Sequence, residues 1–294
     1  MTTPAYEVVK SGFVALVGRP NAGKSTLVNA LVGSKVAITS NTPQTTRHRL
    51  RAIVDQEDAQ IVFIDTPGLH KPEDALGEEL NRSSMMALAD VDVACLVIDV
   101  SAQIGPGDRW VAHRVAEAKA ARVLILTKAD IARPEEVEKQ LAVAGGLGKF
   151  DEVVVCSARE SFNLDGVIDA VKRHLPDGPR YFPRDMPTDQ PVEVMLAEFI
   201  RERILHNTHD EVPHAVGVVI DDMKYTKKSD TTTIMSVIYV EKESQKGIIV
   251  GKRGELIKKI GTDARVDLER LLGNKVYLDL RVKVKKDWRR DASQ

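Results

Sequence analysis

One stretch of eight residues, from Gly18 to Ser25, has the residue types and spacing of a phosphate-binding loop. It reads Gly-Arg-Pro-Asn-Ala-Gly-Lys-Ser and matches the pattern G-x-x-x-x-G-K-[ST]. The glycines let backbone N–H groups converge on phosphate oxygens, and the start of a helix adds partial positive charge. The lysine reaches the β- and γ-phosphates, and the serine hydroxyl is a ligand for Mg²⁺. We therefore predict a nucleotide site formed by Gly18, Arg19, Pro20, Asn21, Ala22, Gly23, Lys24, Ser25 and Thr26.

A second segment, Asp65-Thr66-Pro67-Gly68, follows an apolar strand pattern forty residues after Ser25. A carboxylate at a strand end can hold a metal-bound water, and the Gly68 N–H can approach a γ-phosphate. The next residue is Leu69, and because its side chain is apolar it cannot orient an attacking water. We expect slow unaided hydrolysis, with Gly68 and Lys24 acting in catalysis. The predicted nucleotide contacts here are Asp65, Thr66, Pro67, Gly68 and Leu69, with Asp65 and Ser25 as metal ligands.

Two further segments carry residues that can recognise a base. The carboxylate of Asp130 can accept both N–H donors on the Watson–Crick edge of guanine, a pairing that adenine does not offer. The stem of Lys128 can lie along the base. A backbone N–H of the pair Ser157-Ala158 can meet the guanine carbonyl. The predicted guanine-binding residues are Thr127, Lys128, Asp130, Ser157 and Ala158.

These segments follow strands in a region where strand and helix patterns alternate, from Gly12 to about Leu175. Near-continuous apolar runs predict strands that are buried on both faces of a largely parallel sheet. We therefore predict a doubly wound α/β domain that binds ligands at the carboxyl ends of its strands. The predicted elements are strands Phe13–Val17, Ala52–Val54, Ile61–Ile64, Val93–Val97, Val123–Leu126 and Val153–Val155, and helices Asp108–Lys119 and Pro134–Ala142.

Five prolines between Pro176 and Pro191 mark a change in composition. Proline fixes φ and disfavours helix in the preceding residue, so this stretch predicts an extended, semi-rigid linker. The predicted organisation is an N-terminal arm (1–10), the α/β domain (11–175), the linker (176–190), an α+β domain (191–290) and a tail (291–294).

The second domain contains the loop Gly251-Lys252-Arg253-Gly254 between two helical patterns. Its glycines allow close backbone approach, its cations can meet phosphates, and the apolar residues before it, including Ile248, can accept bases of single-stranded RNA. From Glu241 to Arg290 there are 15 Lys and Arg against 8 Asp and Glu, which favours an anionic partner. The predicted RNA contacts are Ile249, Val250, Gly251, Lys252, Arg253, Gly254, Lys258, Lys283 and Lys285. The predicted element order is helix (Val192–Leu205), strand (His214–Met223), strand (Thr231–Val240), helix, helix and strand (Val276–Val284).

The nucleotide segments resemble the translation-factor-related small GTPases, in particular the branch with a Thr-Thr-Arg switch segment, here Gln44 to His48. The resemblance implies that Thr46 completes the Mg²⁺ shell when a γ-phosphate is present and acts in catalysis. It also implies that Asn21 helps hold K⁺ where other GTPases use an arginine finger. Two residues depart from the pattern, because Thr127 stands where asparagine is usual and Arg159 where an acidic residue or lysine is usual.

The second domain resembles a type II KH domain, and nearly the whole chain resembles the Era-like bacterial GTPases. Further matching segments are Gln44–Arg49, Asp65–His70, Glu211–His214 and Val282–Lys285. This resemblance implies a monomeric switch that binds GTP or GDP with Mg²⁺ and the 3′ end of 16S ribosomal RNA. It further implies action in 30S ribosomal subunit assembly and peripheral contact with the inner face of the cell membrane.

Composition is that of a globular protein, with 43% hydrophobic and 29% charged residues and a net charge of −1. The first ten residues lack the apolar stretch of a secretory signal, so we expect a cytoplasmic location. Three alternatives stay open. A P-loop kinase would need an acceptor pocket but no G-x-x-G loop. A constitutive RNA-binding protein could use the nucleotide structurally, and Thr127 could relax the base specificity of a GTPase.

Overall fold

The computed structural model of the protein describes residues 7–42, 45–47, 49–70, 75–286 and 288. Gln44 and His48 of the predicted switch segment, residues 1–6 of the predicted arm and the predicted tail (291–294) lie outside these ranges. The chain divides into two compact units. The first extends to Asp189 but excludes Ser40–Thr42, and the second begins at Gln190 and includes Ser40–Thr42. Within the described ranges, no helix is both long enough and apolar enough to cross a membrane.

The first unit is built on one sheet, which in the described chain has seven strands. These are β1 (Val9–Gly18), β2 (Leu50–Asp55), β3 (Ala59–Asp65), β4 (Val93–Asp99), β5 (Ala121–Thr127), β6 (Glu152–Val155) and β7 (Asp177–Gly178). Their spatial order is β2-β3-β1-β4-β5-β6, with β7 beside β1. Neighbours are parallel except for β2–β3 and β1–β7, which confirms the predicted doubly wound α/β fold.

Helices fill the crossovers between the parallel strands, which is why the central strands read as continuous apolar runs. In β4, for example, every residue from Val93 to Ile98 is buried. Two helices begin with proline in the first turn, where its missing N–H costs nothing. The helices are α1 (Lys24–Val32), α2 (Ala75–Ala89), α3 (Pro106–Ala116), α4 (Pro134–Gly145) and α5 (Leu164–Lys172).

The strands extend beyond the apolar runs that predicted them. Strand β1 begins at Val9, inside the predicted arm, because Val9 pairs with Gly178 and Lys10 pairs with Ala59. Helix α3 ends at Ala116 rather than Lys119. Pairing across a sheet includes polar residues such as Lys10 that carry no hydrophobic signal, so element ends are the part that sequence patterns predict least well.

The predicted linker is not uniformly extended, because it contains β7, a bend at residues 181–182 and a turn at residues 184–185, and it packs on the rest of the first unit. The buried Gln60 side chain accepts hydrogen bonds from Tyr181 N (2.8 Å) and Phe182 N (2.9 Å) and donates to Phe182 O (2.9 Å). Arg180 pairs with Asp55 at 3.1 Å, and both side chains are nearly buried. This part of the segment is therefore attached firmly to the β2–β3 hairpin.

Farther along, the same segment follows the free edge of β2. Ile53 N donates to Pro187 O at 2.9 Å, and Ala52 and Thr188 form an antiparallel bridge. An uncovered edge strand exposes unpaired backbone groups that invite aggregation. The proline-rich segment covers part of this edge.

The second unit is an α+β domain with the element order predicted for a type II KH domain. Its elements are α6 (Val192–Asn207), α7 (Val212–Ala215), β8 (Gly217–Thr226), β9 (Thr231–Val240), α8 (Glu243–Val250), α9 (Glu255–Leu272) and β10 (Lys275–Val284). Strand β9 lies in the middle, antiparallel to β8 and parallel to β10. The predicted strand start at His214 is wrong, because α7 occupies that position. Pro213 lacks the N–H that a strand ladder needs, and its φ suits a first helical turn.

Replacement of Gln60 by leucine tests the attachment of the proline-rich segment. The variant Gln60→Leu removes the partners of three partly buried backbone groups of residues 181 and 182, so we expect a loss of about 2 kcal/mol in the free energy of unfolding. Urea denaturation measures it, and faster proteolysis between residues 180 and 189 should accompany it. The exposed Gln103→Leu is the control, and equal stability of the two variants would contradict the structural role of Gln60.

Candidate functional site

The phosphate loop joins β1 to α1 and brings backbones into close contact. A Cβ added to Gly18 would lie 2.4 Å from Val97 O. Gly23 has φ +91°, and a Cβ there would lie 3.3 Å from Thr127 Oγ1. Helix α1 starts directly after Gly23, so its first N–H groups belong to the loop. Gly18 is therefore required because no larger residue fits, and Gly23 mainly because of its left-handed backbone conformation.

Lys24 is buried at the start of α1, and loop carbonyls hold its ammonium group. Its Nζ donates to Gly18 O at 3.1 Å and to Arg19 O at 2.9 Å. Burial lowers the pKa of Lys24 to about 8, and the negative charge of Asp65 acts in the opposite direction. An ammonium carries three donors, so a third N–H is available for an anion. A phosphate group would supply the negative charge that neutralises this buried cation.

Ser25, Thr46 and Asp65 converge, as the predicted metal shell requires. Ser25 Oγ donates to Asp65 Oδ2 at 2.6 Å and lies 3.1 Å from Thr46 Oγ1, which is 3.5 Å from the same carboxylate oxygen. Burial raises the pKa of the Asp65 carboxyl, and its buried Oδ1 has no hydrogen-bond partner among the described residues. A carboxylate oxygen without a partner, beside two hydroxyls, fits Mg²⁺, which takes further oxygen ligands from phosphates and water.

The described chain contains no group of three or more His, Cys, Asp or Glu side chains that could hold a metal. The cluster at Asp65 therefore differs from an all-protein metal cage. One carboxylate with hydroxyls matches the way Mg²⁺ is bound when substrate phosphates complete its shell.

The segment after β3 is held against the phosphate loop by close backbone contact. A Cβ on Gly68 would lie 2.5 Å from Pro20 N, so no larger residue fits there without displacement. Ser84 Oγ, on α2, donates to Pro67 O at 2.9 Å. The Gly68 N–H is thus kept near the loop in which the predicted γ-phosphate site lies.

Two side chains predicted beside the nucleotide lie instead in the interior. Thr66 is fully buried, and its Oγ1 donates to Leu16 O at 2.7 Å. Leu69 is fully buried in the hydrophobic core, while its backbone N–H donates to Gly18 O at 3.0 Å. These residues position the segment, and their side chains are not directed at a ligand.

The hydroxyl of Thr127 binds backbone rather than base. Thr127 is buried at the end of β5, and its Oγ1 lies 2.6 Å from Ala22 O and 3.1 Å from Ile98 O. The shorter contact ties the phosphate loop to β5. Threonine at this position therefore keeps a contact with the phosphate loop.

Asp130 and Ser157 form one hydrogen-bonded unit, although they lie on different loops. Ser157 Oγ donates to Asp130 Oδ1 at 2.6 Å and accepts from Glu160 N at 3.1 Å. Ser157 N–H donates to Phe162 O at 3.0 Å, so it is not available to a base. Of the predicted pair, Ala158 thus has the N–H that can meet a guanine carbonyl.

The remaining predicted loop residues are at the surface or contact neighbouring elements. Arg19 forms an ion pair with Asp108 of α3 at 3.1 Å. Asn21 is exposed and has φ +63°, a left-handed conformation that asparagine adopts more readily than most residues. Thr26 is exposed on α1, and Ala22 is buried. Asn21 is therefore the loop residue in a position to present a side-chain oxygen to solvent-side ligands.

Sequence reasoning missed two residues that hold the loops of the site. Asp99 accepts a hydrogen bond from Lys128 Nζ at 2.6 Å. Asn29, on α1, donates to the carbonyl of residue 37 (2.8 Å) and accepts from the N–H groups of residues 36 and 37 (2.9 and 2.8 Å). Asp99 stands at the end of an apolar strand, as Asp65 does, and that shared position is a signal that could have found it. An asparagine inside a helix gives no comparable signal.

In the second unit, the G-x-x-G loop connects α8 to α9 in a conformation that needs both glycines. Gly251 has φ +72°, and a Cβ there would lie 2.7 Å from Leu256 Cβ. Gly254 has φ +80°. Between them, Lys252 and Arg253 are exposed, and Arg253 is also left-handed (φ 52°). The loop therefore presents two cations on a tight turn, an arrangement that suits phosphates of an extended strand.

The apolar residues before this loop are not all accessible. Ile249 is fully buried in the core, so its side chain cannot contact RNA directly, contrary to the prediction. Ile248 is 45% exposed and Val250 is half-buried. Helix α8 turns by about 100° per residue, so consecutive apolar residues point to different sides. Of the other predicted contacts, Lys258 and Lys283 are exposed, and Lys285 lies over the ring of Tyr239.

Known proteins match both units. The family described as 50S ribosome-binding GTPase matches residues 13–128, and the KH domain family matches residues 211–289. The chain is 50% identical over 289 residues to GTPase Era of Mycolicibacterium paratuberculosis, covering 97% of each protein. It is 44% identical over 283 residues to GTPase Era of Alkaliphilus metalliredigens, covering 96% of each.

Solved structures agree with these relatives. A crystal structure of an Aquifex aeolicus Era variant bound to GDP·AlF4⁻ is 36% identical, with a TM-score of 0.91 and 97% of each chain covered. Era in complex with MgGDPNP and nucleotides 1506–1542 of 16S ribosomal RNA is 35% identical, with a TM-score of 0.89 and the same coverage. Sequence and fold agree across both units, and the chain belongs to the GTPase Era family, in which a P-loop GTPase domain precedes a KH domain.

Proposed function

We propose that the protein is a GTP-hydrolysing switch that binds the 3′ end of 16S ribosomal RNA and acts in 30S ribosomal subunit assembly. The observation that carries this proposal is the meeting of Thr46 with Ser25 and Asp65. A switch threonine in the metal shell orders its loop only while the γ-phosphate is present. Binding of MgGDPNP and a 16S fragment by a 35% identical Era supports the same pair of ligands here.

In the proposed phosphate site, Lys24, the metal-binding side chains and the Gly68 N–H each have a separate role. Lys24 neutralises the β- and γ-phosphates with a cation whose charge is already poorly solvated. Ser25, Thr46 and Asp65 would hold Mg²⁺, which supplies charge neutralisation across the β- and γ-phosphate oxygens when bound. The Gly68 N–H, held near the loop, senses the γ-phosphate.

Guanine recognition in this proposal rests on Asp130. Its carboxylate accepts hydrogen bonds from the two N–H donors of the base edge. The hydrogen bond from Ser157 Oγ to Asp130 Oδ1 fixes the orientation of the carboxylate. The Ala158 N–H donates to the base carbonyl, and Lys128 covers one face of the base. Thr127 contributes by holding the loop at Ala22.

Hydrolysis needs charge stabilisation that Leu69 cannot give, because its side chain is in the core. We assign this task to a K⁺ ion held by Asn21, whose exposed side chain lies on the phosphate loop. Such an ion offsets the charge that develops on the transferred group, as an arginine finger does.

On the RNA side, the G-x-x-G loop binds the strand. Lys252 and Arg253 meet phosphates, and the exposed part of Ile248 packs against bases. Lys258, Lys283 and Lys285 add positive charge along the same domain. Monomeric action in the cytoplasm, with peripheral contact to the membrane, stays a prediction from the family resemblance.

A short stretch of chain and two noncovalent contacts connect Thr46 to the segment that leads into the second unit. Three residues separate Thr46 from the start of β2 at Leu50. Next on that strand, Arg51 forms an ion pair with Asp189 at 2.6 Å, and Arg51 O accepts from Thr188 Oγ1 at 2.7 Å. A change in the position of Thr46 therefore acts on a strand that is bonded to the segment leading into the RNA-binding domain.

RNA affinity measured in three nucleotide states tests the switch. We expect an RNA of the 16S 3′ end to bind about tenfold more tightly with a GTP analogue than with GDP or no nucleotide, since coupling between sites is typically 5–150-fold. Lys252→Ala should weaken binding in every state and reduce the salt dependence by about one ion. The exposed Lys227→Ala is its control. Equal affinity in all three states would refute the switch and favour the constitutive RNA-binding alternative.

Turnover in potassium and in sodium tests the role of Asn21. We expect GTP hydrolysis to be at least about tenfold faster in potassium, because a fixed charge at the reacting group lowers the barrier substantially. Asn21→Gly keeps the left-handed conformation but removes the side-chain oxygen, so the potassium effect should disappear. Asp185→Gly, another exposed residue with positive φ, is the control. Equal wild-type rates in the two salts would refute the proposal.

Loss of the ion pair at Asp189 tests the route of the signal. We expect Arg51→Ala to leave GTP affinity unchanged but to reduce the ratio of RNA affinities, analogue over GDP, from about tenfold to about twofold. Arg173→Ala removes an ion pair of similar geometry with Glu152 of β6, at the sheet edge opposite β2, and should keep the full ratio. An unchanged ratio in Arg51→Ala would show that the signal takes another route.

A further inference from the structure

Lys128 is held in an unusual conformation beside the phosphate loop. It follows β5 directly, and its φ of 61° is left-handed, which costs energy for a lysine. A Cβ placed on Gly23 would lie 3.8 Å from Lys128 Cε, so the end of the stem lies alongside the loop. Its ammonium Nζ donates to Asp99 Oδ2 at 2.6 Å. The side chain is therefore fixed at both ends, by the backbone and by Asp99.

The side chain of Asp99 is oriented for this contact by neighbouring residues. It ends β4 and stands in register with Thr127 of β5, while Val100 N donates to Thr127 O at 3.0 Å. Its other oxygen, Oδ1, accepts from Ser101 N at 3.0 Å and from Ser101 Oγ at 2.5 Å. One carboxylate oxygen is thus used to orient the group, and the second is left to the lysine.

The ion pair between Lys128 and Asp99 is partly exposed to solvent, and this exposure limits its contribution to stability. The side chains of Lys128 and Asp99 are 33% and 21% exposed, so water competes with the ion pair and its contribution to folding is small. A free lysine would, however, distribute its ammonium over many rotamers in solvent. The contact with Asp99 restricts these rotamers before any ligand arrives, and such preorganisation increases affinity.

We propose that Asp99 is a positioning residue for base binding, which acts by holding the Lys128 stem against the guanine face. The proposal rests on the proposed guanine site and adds a residue to it. Asp99 touches no nucleotide atom in this scheme. Its effect therefore passes entirely through Lys128.

A double-mutant cycle tests this directly. Asp99→Asn should raise the dissociation constant for GDP about fivefold, the upper range for a partly exposed ion pair, and raise the KM for GTP to a similar degree. The single-turnover rate at saturating GTP should not change. Lys128→Met keeps an apolar stem without the ammonium, and in that background Asp99→Asn should have no further effect on affinity. If the two substitutions raise the dissociation constant independently, so that their factors multiply in the double variant, Asp99 does not act through Lys128.

Two further variants keep the result interpretable. Ser101→Ala removes one donor that orients Asp99 and should weaken GDP binding about twofold, which provides a milder test if Asp99→Asn fails to fold. Glu152→Gln removes the carboxylate charge from the ion pair with Arg173 on the same domain and should leave GDP binding unchanged. Unchanged GDP affinity in both Asp99→Asn and Ser101→Ala would overturn the proposal.

Competition by ATP separates this proposal from the proposed function. Wild-type protein that releases labelled GTP equally to ATP and to unlabelled GTP would refute the guanine site itself. A wild-type preference for GTP together with unchanged affinity in Asp99→Asn would refute only the role of Asp99.

Discussion

The phosphate site depends on two buried groups of opposite charge, Lys24 and Asp65. Burial lowers the pKa of Lys24 and raises the pKa of Asp65, and each charge offsets part of the cost of the other. Loop carbonyls and the Ser25 and Thr46 hydroxyls supply further partners. Both groups keep unused capacity, a third N–H on the lysine and the Oδ1 oxygen of the aspartate. An anion with a divalent cation completes both at once.

Around this pair, backbone atoms form the rigid part of the site. Gly68 leaves no space between the segment after β3 and Pro20, and Thr127 fastens Ala22 to β5. The contact at Gly68 involves no side-chain rotamer and the one at Ala22 only the short Thr127 side chain, so both lose little side-chain entropy. Thr46 differs, because a hydroxyl contact of 3.5 Å to Asp65 is long for a hydrogen bond. Of the two hydroxyls in the cluster, that of Thr46 is thus held less tightly by the carboxylate than that of Ser25.

The sequence predicted what chemistry requires at fixed spacing and missed what only three-dimensional packing decides. Asp65 and Asp130 follow apolar runs, so their positions at strand ends were predictable. The burial of Leu69 was not, because its place in the chain carries no information about which way its side chain points. Gln60 bonds Phe182, 122 residues away, and no local pattern reports such a contact. In α8, three consecutive apolar residues obscured which one, Ile249, belongs to the core.

The proline-rich segment is attached more firmly near Arg180 than near Asp189, and this difference suits a switch. At Arg180 the ion pair with Asp55 is nearly buried, and removal of Arg180 would leave the Asp55 carboxylate without this cation. At Asp189 the ion pair involves Arg51, which is 50% exposed, and exposed pairs contribute little to stability. The firm contact keeps the segment on the sheet. In the proposed switch, the weak one, five residues after Thr46 along the chain, would break and form again without unfolding either unit, as a reversible signal requires.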